Sequence, residues 1–153
     1  MEETLVVSIG STIMQDDGVG YHILRSLQDK NVQADLVDLG TDIFGLRAHF
    51  KNHSRIIILD AMKGGETPGT VLVFRGPEFR ERLEGNIQNA HLLGVIEALD
   101  IMRAIDDQLA KAEFFFVGVV AQTIDKGLEL TEPVAKAVQK AVNQVGLILA
   151  NQA

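Results

Sequence analysis

The run Ile56-Ile57-Ile58-Leu59 is apolar without interruption, and reads as a buried strand. The stretch after it narrows the fold further. Asp60 to Thr70 carries Lys63-Gly64-Gly65 and Pro68-Gly69 before the next apolar run, Val71-Leu72-Val73-Phe74. A parallel crossover needs about a dozen residues including a helix. This loop is too short and too rich in breakers, so the strand at 71–74 is expected to run antiparallel to the strand at 56–59.

Other segments obey the same logic. Leu5-Val6-Val7-Ser8-Ile9, closed by Gly10, reads as a first strand, and residues 33–38, ended by Gly40, as a second. Phe114-Phe115-Phe116-Val117 reads as a fifth, ending at Gly118. Helical spacing links Val19, Ile23, Leu24 and Leu27, and later Leu92, Ile96, Leu99 and Met102. A short helix carries Ile43, Leu46 and Phe50. Glu132-Pro133 opens the last helix, with Val134, Val138, Ala141, Val145 and Ile148 on its buried face, and proline suits the first turn. Strands alternating with helices predict an α/β fold: a three-layer αβα sandwich around a five-stranded, mostly parallel sheet with one antiparallel strand. The 153 residues suit a single domain, 1–153, with no repeat or linker.

Composition removes whole classes of function. With 46% hydrophobic residues and a mean hydropathy of +0.14, the chain can bury a sizeable core. The formal charge of −7 and the lack of any basic stripe argue against nucleic acid. Absence of cysteine rules out disulfides, thiolate metal sites, iron–sulfur clusters and cysteine nucleophiles. No apolar run approaches the roughly 20 residues of a membrane helix. Met1-Glu2-Glu3-Thr4 is acidic where a secretory signal is basic, so a cytoplasmic location is expected.

In an open α/β sheet the ligand crevice lies beyond the carboxyl ends of the strands. Three polar stretches are expected to converge there: Gly10 to Gly20, Asp38 to Asp42, and Asp60. His91, at the start of a helix, is placed to reach the same crevice. Each has a plain alternative. Asp16-Asp17-Gly18 reads equally as a turn and helix cap, Asp60 as a strand-end turn residue, and His91 as a cap. His22, His49 and His53 are expected on the surface. Taken together, two carboxylates and an imidazole at one sheet edge suit a borderline dication such as nickel or zinc, with open positions for a second molecule. Gly10 and Gly20 do not make a dinucleotide loop, because Thr12 and Gln15 stand where glycines belong. No serine sits in a G-x-S-x-G setting. A rival class is the receiver domain of response regulators, which binds magnesium through an acidic pair and an aspartate ending strand three. Against it stand the insertion Gly10 to Gln15 before the acidic pair, the helix-free loop after Asp60, and Gly118-Val119-Val120 where a receiver has lysine.

The ordered set Ile9-Gly10-Ser11-Thr12-Ile13-Met14-Gln15-Asp16-Asp17-Gly18-Val19-Gly20, Asp38-Leu39-Gly40-Thr41, Ile58-Leu59-Asp60-Ala61, Pro68-Gly69-Thr70, His91-Leu92-Leu93-Gly94 and Val117-Gly118-Val119 resembles the [NiFe]-hydrogenase maturation endopeptidases over nearly the whole chain. The resemblance implies a cytoplasmic protease that removes a C-terminal extension from a hydrogenase large-subunit precursor after nickel insertion. It implies Asp17, Asp60 and His91 as contacts to nickel delivered by that substrate, with zinc or cadmium as surrogates. Asp38, Gly40 and Thr41 match a second family motif, substrate-facing through Gly40 and Thr41. Asp17 and Asp38 are then the catalytic candidates, the metal either acting on the scissile bond or only docking the substrate. Two positions depart from the pattern. Ser11 stands where the family usually has asparagine, and Val120 comes after Val119 where the family often has proline.

Overall fold

In the computed structural model, which describes residues 2–83 and 89–151, the apolar runs become strands of one sheet. Its members are β1 (Thr4–Ile9), β2 (Asp35–Gly40), β3 (Arg55–Met62), β4 (Val71–Arg75) and β5 (Glu113–Val120), in the order β2-β1-β3-β5-β4. Pairings β1–β2, β1–β3 and β3–β5 are parallel, and β4–β5 is antiparallel. Alternation sends Leu5, Val7, Ile56, Ile58, Phe114 and Phe116 to one face, and Val6, Ile57, Leu59, Phe115 and Val117 to the other.

Helices cover both faces. The second face packs on α1 (Val19–Asp29) and α6 (Glu132–Ala150). The first packs on α2 (Leu46–His49), α3 (Gly76–Leu83), α4 (Ala90–Ile105) and α5 (Asp107–Lys111). The expected three-layer α/β architecture with one antiparallel strand is what the chain adopts. Among the described residues no helix is long and apolar enough to cross a membrane.

Details differ from expectation in instructive places. β4 does run opposite to β3, yet it pairs with β5 on the far side. Its connection steps over the end of β5, where Gly69 N–H donates to the Val120 carbonyl (2.8 Å) and Val120 N–H to the Thr70 carbonyl (2.9 Å). A proline at 120 would lack that N–H, so the departure from proline adds one bond between β5 and the loop before β4. β2 begins and ends two residues later than 33–38, because its register is set by pairing with β1. Val138 is only partly buried, while Ala137 and Val142 complete the inner face of α6. Helices α3 and α5 add to those expected.

His53 requires correction. Expected on the surface, it is 2% exposed, accepts the Lys51 N–H at Nδ1 (3.1 Å) and sets Nε2 2.7 Å from Asp35 Oδ2. That bond holds the Asp35 carboxyl below its ordinary range. A polar-looking loop thereby ties β2 to the entry of β3.

The fold positions the site at the switch point of the sheet, between β1 and β3, where successive connections leave in opposite directions. The β1–β3 pairing ends at Ser8–Leu59, while β3–β5 continues through Asp60–Gly118 to Met62–Val120. Asp60 sits at that step. α1 approaches β3 closely: a Cβ on Gly20 would lie 2.5 Å from the Leu59 carbonyl oxygen. Gly20→Ala should therefore destabilise the protein by about 1–3 kcal/mol in urea unfolding. Gly146→Ala on α6, with no atom within 4 Å of the added Cβ, should stabilise it by about 0.5–1 kcal/mol.

Candidate functional site

Chain geometry brings the loop after β1 onto the end of β3. Gly10 has φ +122° and donates its N–H to the Gly40 carbonyl (2.8 Å). A Cβ there would lie 2.1 Å from the Asp17 carbonyl oxygen and 3.2 Å from Asp60 Oδ1. Only glycine permits this approach. The chain then doubles back, so that Ser11 N–H donates to Asp17 Oδ2 (2.8 Å) and Met14 N–H to the Ser11 carbonyl (3.2 Å). Serine at 11 serves through its backbone, which explains why the departure from asparagine leaves the loop intact.

The adjacent aspartates have opposite fates. Asp16 is wholly buried and accepts four hydrogen bonds, from Gln122 N–H (2.9 Å), Thr123 N–H (3.0 Å), Thr131 N–H (2.8 Å) and Thr131 Oγ1 (2.7 Å). Gln15 N–H donates to the Gly127 carbonyl and Gly127 N–H to the Ile13 carbonyl, at 2.9 and 3.0 Å. Neither aspartate caps the helix by a side-chain bond. Asp16 joins the β1 loop to the 121–131 loop, and Asp17 is left half-buried at the crevice.

Asp60 is fully buried. Its Oδ1 accepts the Ala61 N–H (2.7 Å), and Oδ2 has no hydrogen-bond partner. His91, in the first turn of α4 and 59% exposed, brings Nε2 to 3.4 Å from that oxygen. Burial pushes the Asp60 carboxyl up to about 7, helped by the Asp17 charge and opposed by His91. Its contact with Asp60 in turn raises the His91 imidazole. Asn89, 3% exposed, holds the start of α4 against the end of β3. It accepts the Lys63 N–H at Oδ1 (2.8 Å) and donates from Nδ2 to the Lys63 carbonyl (2.5 Å).

Asp17 and His91, with Met14, Met62, Asn89 and Ile124, line a cleft of about 240 Å³. Two larger hollows lie elsewhere. The one of about 520 Å³ between α3, α4 and β5 pairs Arg80 with Asp100 and Arg75 with Glu113, and its Arg103 donates to the Ala110 carbonyl. The other, of about 560 Å³, offers Lys140 as its one titratable group. The smallest of the three is the one lined by both Asp17 and His91.

Of the expected site residues, Asp60 and His91 meet directly and the Asp17 charge acts on both. Among the described residues, no three His, Asp or Glu side chains stand close enough to encage an ion. Asp38 is engaged elsewhere: its Oδ1 accepts from Ser8 Oγ and from Gly40 N–H, each at 3.0 Å. Alternation puts it on the Leu36 face of β2, toward α1 and α6, whereas Asp60 goes with Ile58 to the α4 face. Gly40, with φ +60°, and the exposed Thr41 continue this strand end beside Gly10. Sequence reasoning missed the separate duty of Asp16 and the clamp by Asn89. An open oxygen and nitrogen set beside an unpartnered buried carboxylate oxygen suits contact with a borderline dication carried in by another molecule.

Comparison with known proteins bears on this geometry. The profile of the hydrogenase maturation protease family matches residues 19–147. The protein FrxA of Pyrococcus furiosus is 38% identical over 132 residues, covering 86% of this chain and 94% of that protein. The hydrogenase 2 maturation protease of Escherichia coli is 26% identical over 145 residues, covering 92% and 87%. The [NiFe] hydrogenase maturation protease HybD from Thermococcus kodakarensis superposes with a TM-score of 0.87 at 38% identity, covering 97% of this chain and 99% of that one.

The buried carboxylates generate two expected outcomes. Asp16→Asn places an amide against donors and should cost about 3 kcal/mol or more in urea unfolding. For Asp60 the folded protein holds a proton that the unfolded chain releases above pH 3.8. Its stabilising contribution is full below that pH and is lost as pH rises to about 7. In metal-free protein, Asp60→Asn should therefore unfold at higher denaturant than the parent at pH 8, with the gain vanishing near pH 4.

Proposed function

The chain belongs to the hydrogenase maturation protease family, peptidases that serve as endopeptidases in hydrogenase maturation, and we propose that its substrate is a [NiFe]-hydrogenase large-subunit precursor. It removes the C-terminal extension of that precursor after nickel has been inserted, and the nickel is what it recognises. The observation that carries this reading is the buried Asp60 Oδ2, which accepts no hydrogen bond and has the half-exposed His91 imidazole at ion-pair distance, 3.4 Å. A buried carboxylate oxygen without a donor is unfavourable in the free protein. Contact with a cation on an incoming substrate removes that penalty, so loaded precursor is favoured over empty precursor.

Asp17, Asp60 and His91 are assigned as the contacts to the substrate's nickel. Asp17 is pre-aimed by the Ser11 N–H, and His91 by the Asn89 clamp at the head of α4. Without thiolates the set holds free metal weakly, which leaves it dependent on the metal the substrate brings. Zinc or cadmium serve as probes of the same contacts. Asp38, bonded to Ser8 and Gly40, is assigned to shaping the Gly40–Thr41 strand end beside which the substrate backbone lies. The attacking water takes its position from the charged groups of the cleft, with Asp17 the nearest half-exposed carboxylate for its proton.

Incubating the parent with nickel-loaded precursor and reading intact masses should reveal one cut near the precursor's C-terminus. Nickel-free precursor should remain whole, even with nickel supplied to the enzyme beforehand. Asp17→Asn should abolish the cut with the circular dichroism spectrum unchanged. His91→Ala should weaken cadmium binding about tenfold or more in a titration. Equal cutting of loaded and empty precursor would contradict recognition through nickel.

A further inference from the structure

The loops that meet through Asp16 display two large aliphatic side chains to solvent. Ile13 is 62% exposed and Leu128 is 72% exposed. Scattered exposed aliphatics are ordinary on any protein surface. These two are placed differently, for they flank the single pairing of Met14 with Gly127. Bonds from Gly127 N–H to the Ile13 carbonyl and from Gln15 N–H to the Gly127 carbonyl hold that pairing. The buried Asp16 carboxylate locks its two sides together through residues 122, 123 and 131. Apolar groups on a backbone already fixed lose little further freedom when a partner covers them.

Position identifies the partner. Met14, between Ile13 and the acidic pair, lines the Asp17–His91 cleft, and so does Ile124 from the facing loop. Ile13 directly precedes Met14 and Leu128 lies four residues beyond Ile124, so both are carried on the two segments that line the cleft. A cleft of about 240 Å³ holds a side chain or two, too little to distinguish one protein substrate from another. We propose that Ile13 and Leu128 form an apolar docking ridge that seats an apolar side chain of the substrate polypeptide. That side chain lies within a few residues of the bond that is cut, since each residue of extended chain spans about 3.3 Å. The inference rests on the proposed action on a hydrogenase precursor, and assigns that substrate a recognition element separate from its metal.

Steady-state cutting of nickel-loaded precursor by Ile13→Ser, Leu128→Ser and the double variant tests the ridge. Leu147→Ser, 58% exposed on α6, serves as a control. The double variant should raise KM about tenfold with kcat within about twofold, the control should match the parent, and all should melt alike. Binding of loaded precursor to the same variants in an Asp17→Asn background should weaken to the same extent. Parent-like KM and parent-like binding in the double variant would overturn the ridge. So would a parent that sediments as a dimer and a double variant that sediments as a monomer at unchanged KM, which assigns the surface to self-association. A parent that binds precursor through these residues yet never cuts it would leave the ridge standing and overturn the proposed reaction. If the parent neither binds nor cuts the precursor, both fail.

Discussion

A fully buried carboxylate with one oxygen that accepts no hydrogen bond is among the least comfortable groups a protein interior can hold. Asp60 is such a group, and its surroundings are arranged around it. β1 stops pairing one residue before it while β5 continues past it, which opens a step in the sheet. Gly10 comes within reach because it has no side chain. Asn89 fixes the start of α4 so that His91 faces the free oxygen. The fold spends stability here and recovers it in the two apolar layers on either face of the sheet.

Around that carboxylate, rigidity is distributed by a second buried aspartate. Asp16 satisfies its whole carboxylate with partners more than a hundred residues away in sequence. It turns two exposed loops into one unit and thereby fixes its neighbour, Asp17. One residue supplies the charge that faces the crevice and the other supplies the frame. Preorganised polar groups of this kind contribute to function because they need not rearrange when the substrate arrives. The same stitching holds Ile13 and Leu128 where a polypeptide entering the cleft passes them.

How much of this was legible beforehand depended on how local each signal is. The inner strands were legible because a strand buried on both faces has to be written as an unbroken apolar run, as at 56–59 and 114–117. The direction of β4 could be read from loop length alone. Its neighbour could not, since β5 lies some forty residues further along. β2, an edge strand with half-buried residues, carries no unbroken run, and its limits slipped by two. His53 looked like a surface loop residue because its partner, Asp35, lies eighteen residues away at the start of β2. Asp16 and Asp17 were indistinguishable in a local window, since only the distant 121–131 loop tells them apart. Asp38 lies at the expected strand end, yet β-alternation and the Ser8 hydroxyl turn it to the other face. Asp60 and His91 met as expected, because strand ends and helix starts converge at the switch point of such a sheet.

If the protein reads the metal carried by its substrate, the nickel itself should report the encounter. X-ray absorption at the nickel edge, on loaded precursor frozen with and without the Asp17→Asn protein, gives that report directly. Binding should add imidazole and carboxylate scattering to the nickel's first coordination sphere, and the imidazole contribution should vanish when His91→Ala is introduced as well. Identical nickel spectra with and without the bound protein would contradict the contact on which the whole site depends.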